Sequence, residues 1–146
     1  MSNSITVDRR FILTQVDRVT LVFPAHLVAE TLLVERTRVL NLPFYDSAIA
    51  GCFHAGGKIV PLVSPAQFLG VQTNLMREFL TVVCLGESAE HLAGVGVLVD
   101  RLLGSRMGEK LFSMADSDRP TQEQLFEPKL FPKELFQPQR LHGLAA

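Results

Sequence analysis

Residues 51–65 read GCFHAGGKIVPLVSP, and two readings compete for them. A histidine next but one to a cysteine suggests a nucleophilic or metal site, and a double glycine suggests a phosphate cradle. The other reading is a corner of β-structure. There, a strand near Cys52-Phe53 turns at Ala55-Gly56-Gly57-Lys58 into a second strand, IVPLV. Gly56 and Gly57 supply the positive φ of a tight hairpin turn at little steric cost. Pro61 has no N–H for a ladder, which places it on an edge or at a bulge. The following SPAQFLGV reads as a helix of one or two turns, with Ser64 as N-cap, Pro65 at the first helical position and Gly70 at the end.

Outward from this corner the pattern stays β. Arg10 to Phe23 holds two runs of β-branched and aromatic residues around the polar pair Asp17-Arg18, a hairpin signature. In residues 25–36, AHLVAETLLVER, helix and strand periods compete, and a strand with a short helical turn at its start is expected. A loop carrying Pro43 leads to a short helix or turn at Asp46 to Ala50. Phe79 to Leu85 is apolar on both faces, GESAEH makes a turn, LAGVGVLVD returns as a strand and RLLG closes as a turn. The sequence strand, turn, strand, short helical turn thus occurs at 10–33 and again at 78–103, which suggests two similar small β-units sharing a core.

The C-terminal texture differs, with four of the eight prolines between Pro120 and Pro138. Residues 115–124, ADSDRPTQEQ, read as a mobile loop. From Leu125 the pairs Leu125-Phe126, Leu130-Phe131 and Leu135-Phe136 recur at a five-residue step. They are too apolar for a free linker, so residues 125–146 read as a segment docked on the β-units, a chance low-complexity run being the alternative.

Composition narrows the function. With 146 residues, 47% of them hydrophobic, the chain is sized for one domain with a packed core. A formal charge of −1 and a pI near 6.4 give no general attraction for nucleic acid or an anionic membrane surface. No window approaches the roughly 20 apolar residues of a membrane span, and the N-terminus lacks the basic and apolar regions of a secretory signal. Cys52 and Cys84 lie among apolar neighbours, the pattern of buried reduced thiols, which suits the cytoplasm.

Catalytic groupings are hard to assemble. Cys52 and His54, two apart in a strand, share a face, but a Cys-His nucleophile also needs an orienting acid, and Asp46 lies across a turn. A thiol enzyme or redox sensor built on Cys52 and His54 is the second hypothesis. His26, His54, His91 and His142 have no zinc spacing, Asp116 and Asp118 lack the rest of a calcium loop, and Gly94 and Gly96 lack the third glycine and long helix of a dinucleotide site. No catalytic residue, metal or cofactor is expected, and a β-rich module with many strand edges is suited to binding other proteins.

Two stretches carry a resemblance. GCFHAGGKIVPLVSPAQFLGV resembles the central signature of the CheW-like family of chemotaxis adaptors, and VGVLVDRLLG resembles its second signature, a glycine-containing strand running into Val-Asp and Leu-Gly. The hairpin at 11–23 and HLVAETLLV precede them in the family's order, and LFQPQRLHGL fits a closing strand and helix. The resemblance implies an all-β fold with short helices: two five-stranded barrels of the Src-homology-3-like type sharing a core, in one domain over 1–146. Segments 10–70 and 71–146 approximate the halves, with strand exchange between them left open. It also implies a non-enzymatic adaptor between a methyl-accepting chemoreceptor tip and the regulatory domain of a CheA-type histidine kinase. The partner-binding residues it implies are Val28, Glu30, Leu32, His54, Gly56 and Lys58. Where the family has Asn-Leu-Arg-Gly this chain has His54-Ala55-Gly56-Gly57, so glycine replaces the arginine and Lys58 is left as the basic neighbour. That divergence resembles adaptors of type IV pilus or phototactic motility systems more than flagellar ones.

Overall fold

The computed structural model describes residues 9–107 and 122–139. Among the described residues the chain forms nine strands: β1 (Arg10–Val16), β2 (Val19–Pro24), β3 (Val28–Glu35), β4 (Ile49–Ala55), β5 (Lys58–Val63), β6 (Phe79–Leu85), β7 (Gly96–Val99), β8 (Arg101–Met107) and β9 (Gln122–Leu125). The short helix α1 (Ala66–Leu69) and several 3-10 turns connect described strands. Two sheets result. The first has the order β8-β1-β2-β9, with β9 parallel to β2, and the second β3-β6-β7-β5-β4, with β7 parallel to β5.

Both sheets curl. In the first, Arg106 on β8 and Glu123 on β9 belong to opposite edge strands, yet their side chains meet at 3.5 Å. In the second, the chain beyond β3 returns to β4: Leu40 and Cys52 exchange two main-chain hydrogen bonds of 2.8 and 2.9 Å, joining the first strand to the last. Three single-residue bulges supply the bend, since the ladders skip Ala29 in β3, Ala50 in β4 and Leu103 in β8. The outcome agrees with two small barrels. Four strands of the first, rather than five, lie among the described residues.

The closure requires a glycine. Gly51 follows the Ala50 bulge at φ 146°, and a Cβ there would lie 2.5 Å from the Leu40 carbonyl oxygen and 2.8 Å from Val39 Cγ1. Gly56 and Gly57, at φ 58° and 79°, form the two-residue turn of the β4–β5 hairpin with open space around them. Pro61 lies on an interior strand, not an edge. Its partner Cys52 directs its own N–H and C=O to Leu40, so Pro61 faces away from β4, on the side where β7 pairs only with Leu62 and Val63. The missing donor falls where nothing needs it.

Alternation divides the apolar residues among three interiors. Phe11, Leu13 and Val22 fill the first barrel, and Val34, Phe53, Leu62, Leu80, Val82, Cys84 and Leu98 fill the second. The residues between them in sequence, Leu21, Phe23, Val83, Leu85, Val97 and Val99, point into a core shared by both sheets. Strands β2, β6 and β7 are therefore buried on both faces, which is why Phe79 to Leu85 shows no polar side. Gly96 opens β7 between Val82 and Leu62, whereas Gly94 belongs to the preceding turn.

The C-terminal segment completes the shared core. Phe126 and Phe131 are fully buried, Phe126 stacking on Phe23 at 4.7 Å and Phe131 meeting Phe68 edge-on at 5.1 Å. Leu135 is buried with them, and His91 Nε2 donates to the Phe131 carbonyl at 2.6 Å. Of the expected mobile loop, residues 115–121 lie outside the described residues, whereas 122–124 are not loop but strand β9, paired with β2; everything beyond residue 139, including the expected closing helix, also lies outside them. The short helix begins one residue later than expected, at Ala66, and the Ser64 hydroxyl accepts from the Ala66 amide at 3.4 Å. RLLG is a strand, not a turn: it opens β8 against β1, and the Leu103 bulge with Gly104 at φ 136° gives it a turn-like composition. Asp46 caps a turn through Oδ1 and the Ala48 amide, and β4 starts at Ile49, earlier than expected. The two β-units are consequently not consecutive: each sheet takes strands from both sequence halves.

Two consequences are measurable by urea denaturation. Gly51→Ala should cost about 2 kcal/mol or more, because strained backbone and contact with a carbonyl oxygen coincide there. Gly57→Ala, with φ 79° but no neighbour within 4 Å, should cost only about 1 kcal/mol. Equal losses would show that barrel closure does not select glycine at 51. Phe126→Ala should cost about 3–5 kcal/mol; a loss below about 1 kcal/mol, too small for a buried aromatic, would show that the C-terminal segment is not part of the cooperative core.

Candidate partner-binding surface

The first candidate surface is set by the phase of β3. Its bulge at Ala29 fixes Glu30 opposite Cys84, Leu32 opposite Val82 and Val34 opposite Leu80, all on the face that lines the second barrel. Thr31 and Leu33 lie on the other face, opposite Val83 and Thr81. Val83 belongs to the shared core, but one step along β6 that core opens to solvent. The opening is a shallow groove lined by Thr31, Leu32, Leu33, Thr81 and Leu102, between β3 and β6 of one sheet and β8 of the other. Leu33 is 69% exposed in it, and Leu102 is exposed beside it.

Of the β3 residues expected at an interface, only Glu30 is exposed. Val28 is half-buried against the shared core and Leu32 against the barrel interior. Sequence reading missed Leu33 because the bulge inverts the face of each later residue, and missed Leu102 because RLLG looked like a turn. Glu30 shares a face with Cys84. That thiol is pushed up to about 11, first by burial and then by the Glu30 carboxylate.

The second candidate surface is the β4–β5 hairpin. His54 is exposed and opposite Ile59, Lys58 is exposed and opposite Ala55, and Gly56 and Gly57 present only backbone. The turn is not without a guanidinium: Arg38 Nη2 donates to the His54 carbonyl at 2.9 Å. Arg38 comes from the 3-10 turn after β3, brought to the hairpin by the Leu40–Cys52 closure. No hydrogen bond or ion pair joins the hairpin trio to the β3 trio among the described residues.

The Cys52–His54 pair separates chemically. The two share the outward face of β4, but Cys52 is buried, flanked on that face by its cross-strand partners Leu40 and Pro61, while His54 is exposed. Asp46, the nearest acid in sequence, is engaged by the Ala48 amide. Both cysteines are free, and among the described residues no three His, Cys, Asp or Glu side chains gather as a metal site. Among these residues no helix is long and apolar enough to cross a membrane.

No curated protein sequence matches the chain. Among solved structures it is similar to the scaffolding protein TtCheW from Thermoanaerobacter tengcongensis, with a TM-score of 0.55 at 15% identity. The match covers 69% of this chain and 66% of that one, just under two thirds of its length. At that identity the likeness shows the fold, the SH3-like barrel arrangement described above. A family model for the CheW-like domain matches residues 10–119. With two curled barrels around one core and a family match over most of its length, the chain belongs to the CheW-like domain family, a family of scaffold and adaptor proteins rather than enzymes.

Proposed function

We propose that this chain is a cytoplasmic adaptor that couples a methyl-accepting chemoreceptor tip to the regulatory domain of a CheA-type histidine kinase. The signalling is chemotactic, phototactic or of the type IV pilus kind. The observation that carries the reading is the groove at Thr31, Leu33, Thr81 and Leu102, an apolar opening between two sheets in a chain of an adaptor family. Its exposed Leu33 is the type of anchor on which protein interfaces concentrate their energy. We assign the groove and the adjoining β3 edge, with Glu30, to the kinase domain. The hairpin at His54, Gly56 and Lys58 is left to the receptor or a further partner.

A thiol enzyme or redox sensor finds no favourable geometry. A reactive cysteine needs access and an electropositive neighbourhood that stabilises thiolate. Cys52 is buried and Cys84 is buried beside a carboxylate.

The adaptor reading is tested by titrating the purified regulatory domain of a CheA-like kinase encoded beside the gene and following the heat of binding. Leu33→Asp should weaken the complex about tenfold or more, the effect of losing roughly 1.4 kcal/mol at an anchor. Its melting temperature should stay unchanged, because the side chain is exposed. Absence of binding by the unmodified protein, to every such domain, would remove the proposal. Thiol chemistry is tested separately by reaction with an aromatic disulfide under native conditions, where Cys84 should stay unmodified until the chain is unfolded. Its raised pKa also fixes a sign. Below the ordinary value of 9.0 the thiol is protonated in both folded and unfolded chains, and stability does not depend on it. Between 9.0 and about 11 only the unfolded chain releases the proton, so stability must fall as pH rises through that window. Cys84→Ala should remove that part of the alkaline slope; an unchanged slope would mean the thiol does not contribute.

A further inference from the structure

The turn after β3 carries Arg36 and Arg38, Arg36 reaches the main chain of Arg77 just before β6, and a main-chain carbonyl orients each of the three guanidinium groups. Arg36 Nε donates to the Arg77 carbonyl at 3.2 Å, Arg38 Nη2 to the His54 carbonyl at 2.9 Å, and Arg77 Nη1 to the Asp100 carbonyl at 2.8 Å. Main-chain bonds also hold residues 36–40 in place, the Arg36 amide bonding the Glu78 carbonyl and Leu40 bonding Cys52. All three arginines are exposed, and among the described residues none forms an ion pair. Glu35 and Glu78, their exposed neighbours in sequence, form no ion pair with them among the described residues. Lys58 is on the other face of the hairpin from His54 and Ile59.

A guanidinium oriented by a neutral carbonyl keeps its full charge and most of its five donors, and its planar fork matches a carboxylate. The same end of the barrel exposes two large apolar side chains, Leu40 at 61% and Ile59 at 62%, Ile59 directly opposite His54. We propose that these arginines, with Leu40 and Ile59, form a docking surface for a short acidic segment of a protein partner, with an apolar side chain set among its carboxylates. Charge complementarity selects the carboxylates, and Leu40 with Ile59 selects the apolar residue. Nucleic acid fits less well, because a polyanion needs a long basic track and the chain as a whole carries a charge of −1. The inference rests on the adaptor reading only in taking the chain to be a binding module, and it concerns a surface other than the Leu33 groove.

The test uses the full chain and a labelled peptide of sequence Glu-Glu-Leu-Glu-Glu-Leu, followed by fluorescence anisotropy. Binding should be saturable and should weaken steeply between about 50 mM and about 500 mM salt, as expected for exposed charges. The triple variant Arg36→Gln, Arg38→Gln, Arg77→Gln should bind about tenfold more weakly or worse, the combined effect of three exposed pairs. Leu33→Asp should bind the peptide as the unmodified chain does, so failure of the kinase reading and failure of this one are separable. Because the variants also lose bonds to main-chain carbonyls, the unmodified chain supplies a second readout. In amide spectra of the labelled protein, the peptide should shift residues 36–40, 54, 59 and 77. No saturable binding, equal binding of the Gln-Gln-Leu-Gln-Gln-Leu peptide, shifts confined elsewhere, or tighter binding of a short oligothymidylate would each overturn the proposal.

Discussion

Two hydrogen bonds between Leu40 and Cys52 close the second barrel, and much else depends on them. They require the backbone of β4 to approach that of residues 39–40 so closely that position 51 has no room for a side chain. Once the barrel is closed, Phe53 and Leu62 face Val82 and Leu98 across a filled interior. Cys52 and His54 are then turned outward, one buried beneath its cross-strand neighbours and the other in solvent. The closure also carries Arg38 to the hairpin. A feature of packing and a feature of the surface thus follow from one backbone contact.

β3 serves two environments because it is bulged. Without the extra residue at Ala29, alternation from Val28 would direct Thr31 and Leu33 into the barrel and expose Leu32 and Val34. With it, an apolar side chain is available on each face: Leu32 and Val34 for the barrel, Leu33 for the groove. The strand ends in the turn that supplies Arg36 and Arg38. Along a dozen residues the chain passes from core to apolar surface to basic surface, an arrangement suited to a protein whose work is contact.

Local chemistry made most of the strands legible. Asp17-Arg18 and Gly56-Gly57 mark their hairpins because two-residue turns demand particular φ values, and Asp17 does adopt φ 55°. The run at Phe79 to Leu85 announces a strand buried on both faces because it has no polar side. What was illegible depends on distant partners. RLLG resembles a turn until β1 is beside it, and the Leu103 bulge exists only as a mismatch with that strand. Nothing within AETLLV states that Ala29 is skipped, so the outward residue of the groove could not be chosen between Leu32 and Leu33. Arg38 lies sixteen residues from His54, and only a closed barrel brings it there. The family likeness carried what local reading lacked, the barrel architecture itself.

The first sheet is made from the two ends of the described chain, and the second is inserted between them. Strands β1 and β2 are finished by Pro24, but their partners β8 and β9 begin at Arg101 and Gln122. On the ribosome, about 100 residues separate the hairpin from β9, and at 5–20 residues per second this is roughly 5–20 s. Throughout that interval Leu21 and Phe23 have no Phe126 to cover them. The second barrel, contiguous from Val28 to Val99, has every strand it needs well before then. The strands of the inner barrel are therefore all synthesised first, while the early hairpin waits, sticky and incomplete, for β9 to emerge.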